Sequence, residues 1–376
     1  MTNPDTGILD EAYERFHTTG PEFDDGLSNH GPMAVEAMVR HGHDRQVHAW
    51  IDWYQTRLED PPRGITPVTR EDWQEALGDT SRLGDWTTFM LREAQLRHWR
   101  DLLAEWWPRL LPGISASATH SVIRVGHAVR ALLTEDTPAT FTTPDTHPAI
   151  ATDTDTDTDT DGPRIAELAH ALAYWAARWS PLNVQTLPRT GPATPTIALA
   201  AIPAIPDQKI SVTHRLSQLG DTPGWSDALS TLRAPNSPHQ AAELLTSVID
   251  AAVLDYLAHG HANPVMLVHA STAPTAVLRT LPALPEDLWI PSLDAAWLAT
   301  AAITAAYRNT DASPEDIATA AAQTGDDPQE TFARAVRHRD EHAVKFADTA
   351  LDSYKRTKNT QALAAATRAT LMIKAR

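Results

Sequence analysis

Apolar residues recur three and four positions apart along most of the chain, the spacing of one face of an α-helix. Ile8, Leu9, Ala12, Tyr13 and Phe16 predict a first helix within 6–20. Ser28-Asn29-His30-Gly31-Pro32 predicts the opening of a second, because proline suits a first turn and Ser28 or Asn29 can cap it. That helix runs through Met33, Ala37 and Met38 to Gly42, and a third carries Val47, Trp50, Ile51 and Tyr54 on one face. The tryptophan-rich stretch from Arg70 to Leu111 reads as helical, and a helix from near Ala116 carries His120, Ile123, His127 and Leu132. After a break at 135–162, helix resumes from Arg164 to Trp179, and 181–210 is proline-rich and irregular. Ala241–His259, Pro264–Leu281, Ala295–Tyr307, Pro314–Ala322, Pro328–Tyr354 and Thr360–Ile373 complete the series. Strand signals are almost absent and no fixed repeat is visible, so the pattern predicts an all-α fold.

Thr152 to Asp161 is a plain Thr-Asp alternation. It has no apolar residue to bury and is expected to be disordered. Its end imitates a calcium loop, but Leu168 stands where the twelfth-position glutamate belongs. Gly113-Ile114-Ser115-Ala116-Ser117 imitates a nucleophile elbow, but Ser117 replaces the second glycine and no strand precedes it. No dinucleotide fingerprint and no Walker loop occurs.

The length of 376 residues allows a large core. A net charge of -17 argues against nucleic acid or an anionic membrane as partner. The N-terminus lacks the basic start and apolar run of a signal peptide, and the longest apolar run, Ile197 to Ile205, is short and broken by prolines. The expectation is a cytoplasmic protein without a membrane span. With no cysteine, disulfides, thiolate metal sites and cysteine nucleophiles are excluded, so a metal site must use His, Asp, Glu or a modified side chain.

Helical spacing places His338, His342, Lys345 and Thr349 on one polar stripe beside an apolar flank of Ala343, Phe346, Ala347, Ala350 and Leu351. Lys345 is the only lysine between Lys209 and Lys355 in a chain whose basic residues are mostly arginine. A histidine and a lysine at the edge of an apolar face point to part of a metal site; the alternative is a surface helix with a snorkelling lysine. His30, His120 and His269 also lie in apolar helical stretches, and histidines from several inward faces are how helical bundles hold metals. A thiolate-free imidazole set suits iron, zinc, copper or nickel. His127 and His338 compete for places in the same set.

Ser28-Asn29-His30-Gly31-Pro32-Met33, Trp86 with the Phe89 region, Trp106-Trp107-Pro108-Arg109-Leu110-Leu111-Pro112-Gly113 and Ala118-Thr119-His120 through Leu132 occur in order along the chain. Glu167 to Arg178, His269-Ala270-Ser271-Thr272-Ala273-Pro274 and Asp340-Glu341-His342 to Lys345 follow. Together these stretches resemble the questin oxidase-like family, over nearly the whole chain. The resemblance implies a single helical domain over 1–376, with a disordered insertion at 136–162. It implies a non-haem Fe(II) oxygenase that opens the central quinone ring of an anthraquinone-type polyketide with O2, in a Baeyer–Villiger-like or dioxygenase reaction. The ligands it implies are His30, His120, His269 and His342, with Lys345 as a carbon dioxide-derived carbamate. NADPH is the external reductant first assigned to such enzymes. The lack of a nucleotide fingerprint favours electrons from a hydroquinone-like substrate instead. Trp86, Trp107, Tyr174 and Trp175 are candidate walls of the aromatic pocket, or else ordinary core aromatics. Two other functions fit the same residues, a metal-free binding or scaffold protein and a zinc-dependent hydrolase or cyclase.

Overall fold

The computed structural model describes residues 4–24, 26–135, 162–184, 188–308 and 311–376. Among them are eighteen α-helices and one antiparallel hairpin of two-residue strands, Glu22–Phe23 and Leu27–Ser28. The fold is all-α, as the periodicity predicts. The Thr-Asp tract lies outside the described residues, as does the expected linker 136–162 apart from Gly162.

Four helices make the centre: Gly31–Arg40, His120–Glu135, His269–Thr280 and Glu341–Thr357. Each packs on the next and the last returns to the first, closing a ring. Their sequences allow this because they are apolar or small around most of their surface; every residue from Gly31 to Met38 is buried, as is every residue from Glu341 to Leu351. At Gly126 an added Cβ would stand 2.5 Å from the Cα of Ala276. Only glycine lets the His120 and His269 helices come this near. Outside the ring, Pro163–Arg178 packs on the His120 helix, Pro238–His259 and Trp289–Tyr307 on the His269 helix, and Gln361–Met372 on the Glu341 helix.

The segment Glu286–Tyr307 corrects one expectation, since it is long and apolar enough to cross a membrane by length and composition. In the fold 61% of its most apolar window is buried, and a helix enclosed by others needs no polar face.

Several helix starts differ from the predicted ones, and three of these matter for the site. The stretch expected as one helix from Pro328 to Tyr354 is two, Pro328–His338 and Glu341–Thr357, parted at Arg339 with a left-handed φ of 67°. Asp340 starts the second helix, its Oδ1 accepting the His342 N–H at 2.9 Å, a standard N-cap bond. The helix expected from Pro264 begins only at His269, after a turn in which Asn263 Oδ1 accepts the Met266 N–H at 3.1 Å. The helix expected from Ala116 begins at His120, after Ser117, Ala118 and Thr119 at φ 49°, 53° and 72°. Each left-handed non-glycine residue costs about 1–2 kcal/mol, and such strain persists only where the surroundings enforce it.

Further along, the same four helices share a buried ion cluster. Asp348, fully buried, accepts from Arg40 at 2.9 Å and Arg279 at 2.6 Å and lies 2.9 Å from both His41 Nε2 and an Arg130 nitrogen. Glu36 takes Arg130 Nε at 2.8 Å and His127 Nδ1 at 2.7 Å. With Asp352 the cluster holds three guanidinium groups and three carboxylates, so its formal charges balance. Charges removed from water need such pairing.

A second buried pair ties the Pro163–Arg178 helix to the ring. Arg124 donates to Glu167 at 2.6 and 2.8 Å. Burial alone would raise this carboxyl, but the Arg124 guanidinium outweighs it and holds Glu167 at about 2, below the ordinary 4.5. A depressed acid stabilises the fold above its unfolded pKa, and that contribution disappears as pH falls through the folded one. Between pH 5 and pH 2 the wild type is expected to lose up to about 3 kcal/mol more stability than Glu167→Gln. Urea unfolding across that window measures it, and parallel pH slopes would show that the pair contributes nothing.

Candidate metal centre

The four central helices begin at one place, and each brings a histidine at or beside its first residue. His30 is the N-cap of its helix, His120 and His269 are first residues, and His342 is the second. One ligand atom from each lies within 4.8 Å of all the others. Ring centroids are 4.3 Å apart for His30 and His120, 4.4 Å for His120 and His269, and 4.6 Å for His30 and His342. Metal–imidazole bonds of about 2.1 Å put ligand nitrogens roughly 3 Å apart when adjacent and about 4.2 Å when opposite, so the cluster has the size of a single-ion site.

Backbone and carboxylate acceptors fix how these rings present themselves. His269 Nδ1 faces the Met266 carbonyl at 3.0 Å, and His120 Nδ1 faces the Ser117 carbonyl. A carbonyl can only accept, so each Nδ1 carries the proton and each Nε2 keeps a lone pair. Those two Nε2 atoms stand 2.8 Å apart. Facing lone pairs at that distance repel unless a cation lies between them. His342 Nδ1 is oriented in the same way by Asp340 Oδ1 at 3.2 Å. Carbonyl or carboxylate support behind a ring is the usual arrangement for a metal-binding histidine. His30 is 3% exposed and neither of its ring nitrogens has a partner.

Electrostatics keep three of the imidazoles, those of His30, His120 and His269, neutral. Burial first, then the surrounding basic groups, lowers the pKa values of His30, His120 and His269 well below 6.5. The positive ends of four helices act in the same direction. A neutral imidazole is the form that binds a metal.

Lys345 joins them. It is 1% exposed, and its Nζ lies 2.9 Å from His269 Nε2, so it does not snorkel to water. Burial brings its pKa down to about 7, against the opposing pull of Glu341 and Asp340. A large part of the amine is therefore uncharged at neutral pH.

The two competing histidines lie elsewhere. His338 is cut off from the stripe by the break at Arg339 and hydrogen-bonds the Ile373 carbonyl at 3.0 Å. His127 lies two turns beyond His120 and belongs to the ion cluster through Glu36. The four aromatic candidates are all at most 2% exposed. Trp86 donates to the Ala76 carbonyl and packs edge-on to Phe89 and Trp106. Trp107 donates to Ser292 Oγ and meets Trp175 edge-on, while Trp175 donates to the Gly113 carbonyl. Tyr174 bonds Ser28 Oγ at 2.8 Å and Glu22 Oε1 at 3.1 Å. Among the described residues none of these four aromatics bonds a cluster histidine, although Tyr174 also hydrogen-bonds Ser117, whose carbonyl faces His120 Nδ1.

Sequence reading did not single out the supports. Tyr54 accepts the His30 backbone N–H at 2.7 Å, and Arg57, stacked over Tyr54, donates to Glu341 at 3.3 Å. Only the Asp340 cap had a local signal, an aspartate two residues before a histidine at a helix start. Comparison with family models, with curated proteins and with solved structures finds no match to this chain.

Proposed function

We propose that this protein is a non-haem Fe(II) enzyme whose ion is held by His30, His120, His269 and His342, with Lys345 as a fifth ligand after its amine has combined with carbon dioxide. The observation that supports the reading most is the inward set of imidazole nitrogens, three of them backed through Nδ1, with two Nε2 lone pairs 2.8 Å apart. Bound iron would supply the binding and activation of O2. The chain's own part is to aim the rings, keep His30, His120 and His269 neutral and exclude water. The substrate reading, an anthraquinone-type polyketide opened at its quinone ring, rests on the sequence resemblance. Inserting one oxygen atom of O2 and reducing the other to water takes two electrons. The hydroquinone form of the substrate can provide them, with NADPH as the external alternative; a dioxygenase outcome places both atoms in the product. Four imidazoles without thiolate also suit zinc, which makes a zinc hydrolase or cyclase the second reading.

Elemental analysis of freshly purified protein, followed by oxygen uptake with a chemically reduced anthraquinone, tests this. Close to one iron per chain with substrate-dependent uptake is expected. Zinc without uptake selects the second reading, and no bound metal removes both.

A further inference from the structure

We propose that Tyr174 is a positioning residue of the metal centre: its buried hydroxyl ties together the two backbone segments that aim His30 and His120. The inference rests on the metal reading above and gives Tyr174 a role other than that of a pocket wall.

The hydroxyl is a junction of three segments. Tyr174 is 2% exposed and lies on Pro163–Arg178, a helix that supplies no ligand. The Glu22 carboxylate, paired with Arg178, can only accept, so the Tyr174 O–H donates to Glu22 Oε1, at 3.1 Å. With its one proton spent there, the phenolic oxygen accepts from Ser28 Oγ at 2.8 Å and from the Ser117 hydroxyl. Burial, and after it Glu22, raises the Tyr174 pKa above its ordinary value, so the donor keeps its proton.

Two of the three partners lead directly to ligands. Ser28 stands two residues before His30 and pairs with Glu22 across the hairpin. The Tyr174 hydroxyl joins the side chains of that same pair, and so fixes the hairpin from which the chain enters His30. Ser117 stands three residues before His120, and its carbonyl is the acceptor behind His120 Nδ1. Ser117, Ala118 and Thr119 are left-handed in succession, at φ 49°, 53° and 72°. Non-glycine residues leave that conformation unless contacts enforce it, and a turn of this peptide would take the Ser117 carbonyl away from the ring. The same helix and the chain just after it hold the start of the loop: Trp175 Nε1 donates to the Gly113 carbonyl at 2.9 Å and the Ser180 carbonyl accepts from Ser115 Oγ at 3.3 Å. Tyr174 reaches the left-handed part itself. His269 is supported separately, by the Met266 carbonyl in a turn that Asn263 closes, which makes it an internal control.

The test uses the full chain with isotope-labelled histidine, loaded with Zn(II), a diamagnetic ion that leaves the Nδ1–H of His120 and of His269 observable by NMR. Tyr174→Phe keeps the ring and removes the hydroxyl. Solvent exchange of His120 Nδ1–H is expected to quicken about tenfold or more as the loop opens locally, while that of His269 stays as in wild type. Zinc affinity, measured against a competing chelator, is expected to fall about 10–100-fold, the usual cost of losing support behind a ligand. Ser117→Ala cuts the same bond from the other end without touching the hairpin; it should reproduce the His120 effect, and it decides the matter if Tyr174→Phe does not fold. A lower melting temperature with unchanged exchange at His120, or equal quickening at His120 and His269, would show that Tyr174 only packs and would overturn the inference while leaving the metal reading intact. Wild type that binds no zinc would remove the metal reading, and this inference with it.

Discussion

His269→Ala is expected to strip the protein of its metal. Of the four imidazoles this one is fully buried, and its Nε2 lies 2.8 Å from His120 Nε2 and 2.9 Å from Lys345 Nζ. Its loss removes a donor, unpairs the lysine and leaves His120 facing empty space. Changing a group merely behind a ligand commonly costs 10–100-fold in metal affinity, so removing the ligand should cost more, and metal content should fall below about a tenth of the wild-type value. His120→Ala should behave alike. His338→Ala is the control, because that ring is tied to the Ile373 carbonyl away from the cluster, and it should keep its metal. His127→Ala should lower stability instead, since it leaves Glu36 and Arg279 short of a partner inside the ion cluster. Elemental analysis beside thermal melting separates the two effects. Full metal occupancy in both His269→Ala and His120→Ala would rule out this ligand set.

The Lys345 series has the second largest expected effect, and it separates a ligand from a packed lysine. Only the free amine reacts with carbon dioxide, and with a pKa near 7 the free fraction grows as pH rises through neutrality. Reconstitution of metal-free wild type with iron and bicarbonate should therefore climb between about pH 6 and 8 and level off above, following that fraction. Lys345→Met keeps length and burial but cannot form the ligand; it should take up iron poorly and ignore bicarbonate. Lys345→Arg should fail as well, because the guanidinium keeps its charge in a buried position and binds no metal. Lys345→Glu should recover part of the binding, since a carboxylate replaces the carbamate, though the shorter side chain misplaces it. A lysine that only packs predicts another order, with Met most stable, because a buried ionisable group has been removed, and iron content equal across the series. Iron-loaded, active Lys345→Arg protein would leave a histidine-only centre.

The resting arrangement also explains why these residues sit at helix starts. A histidine in mid-helix can reach only across to a neighbour, whereas one at the first residue projects from the end of the helix into the space where several ends meet. Side-by-side parallel helices carry like dipoles, which opposes this arrangement. The balanced ion cluster on Glu36, Arg40, Arg130, Arg279, Asp348 and Asp352 holds the four together further along.

By itself the sequence determined the helices, because a 3.6-residue period is local and survives any tertiary arrangement. It also determined the chemistry available, with no thiolate, and singled out five residues that the fold brings together. It placed His342 and Lys345 on one face, which holds because both lie within one uninterrupted helix. It put His338 on that face too, and this failed because nothing in the local pattern marks Arg339 as left-handed; the turn is held by contacts that Asp340 and the C-terminal residues make. Periodicity says which residues share a face of a helix and never which faces meet. Hence only the tertiary structure decided that His120 enters the cluster and His127 the ion network, that Lys345 is buried, and that four helices start together. It also decided the fate of the tryptophans. Trp86, Trp107 and Trp175 spend their N–H groups on Ala76, Ser292 and Gly113, partners far apart in sequence from at least two of them, brought near only when the helices pack.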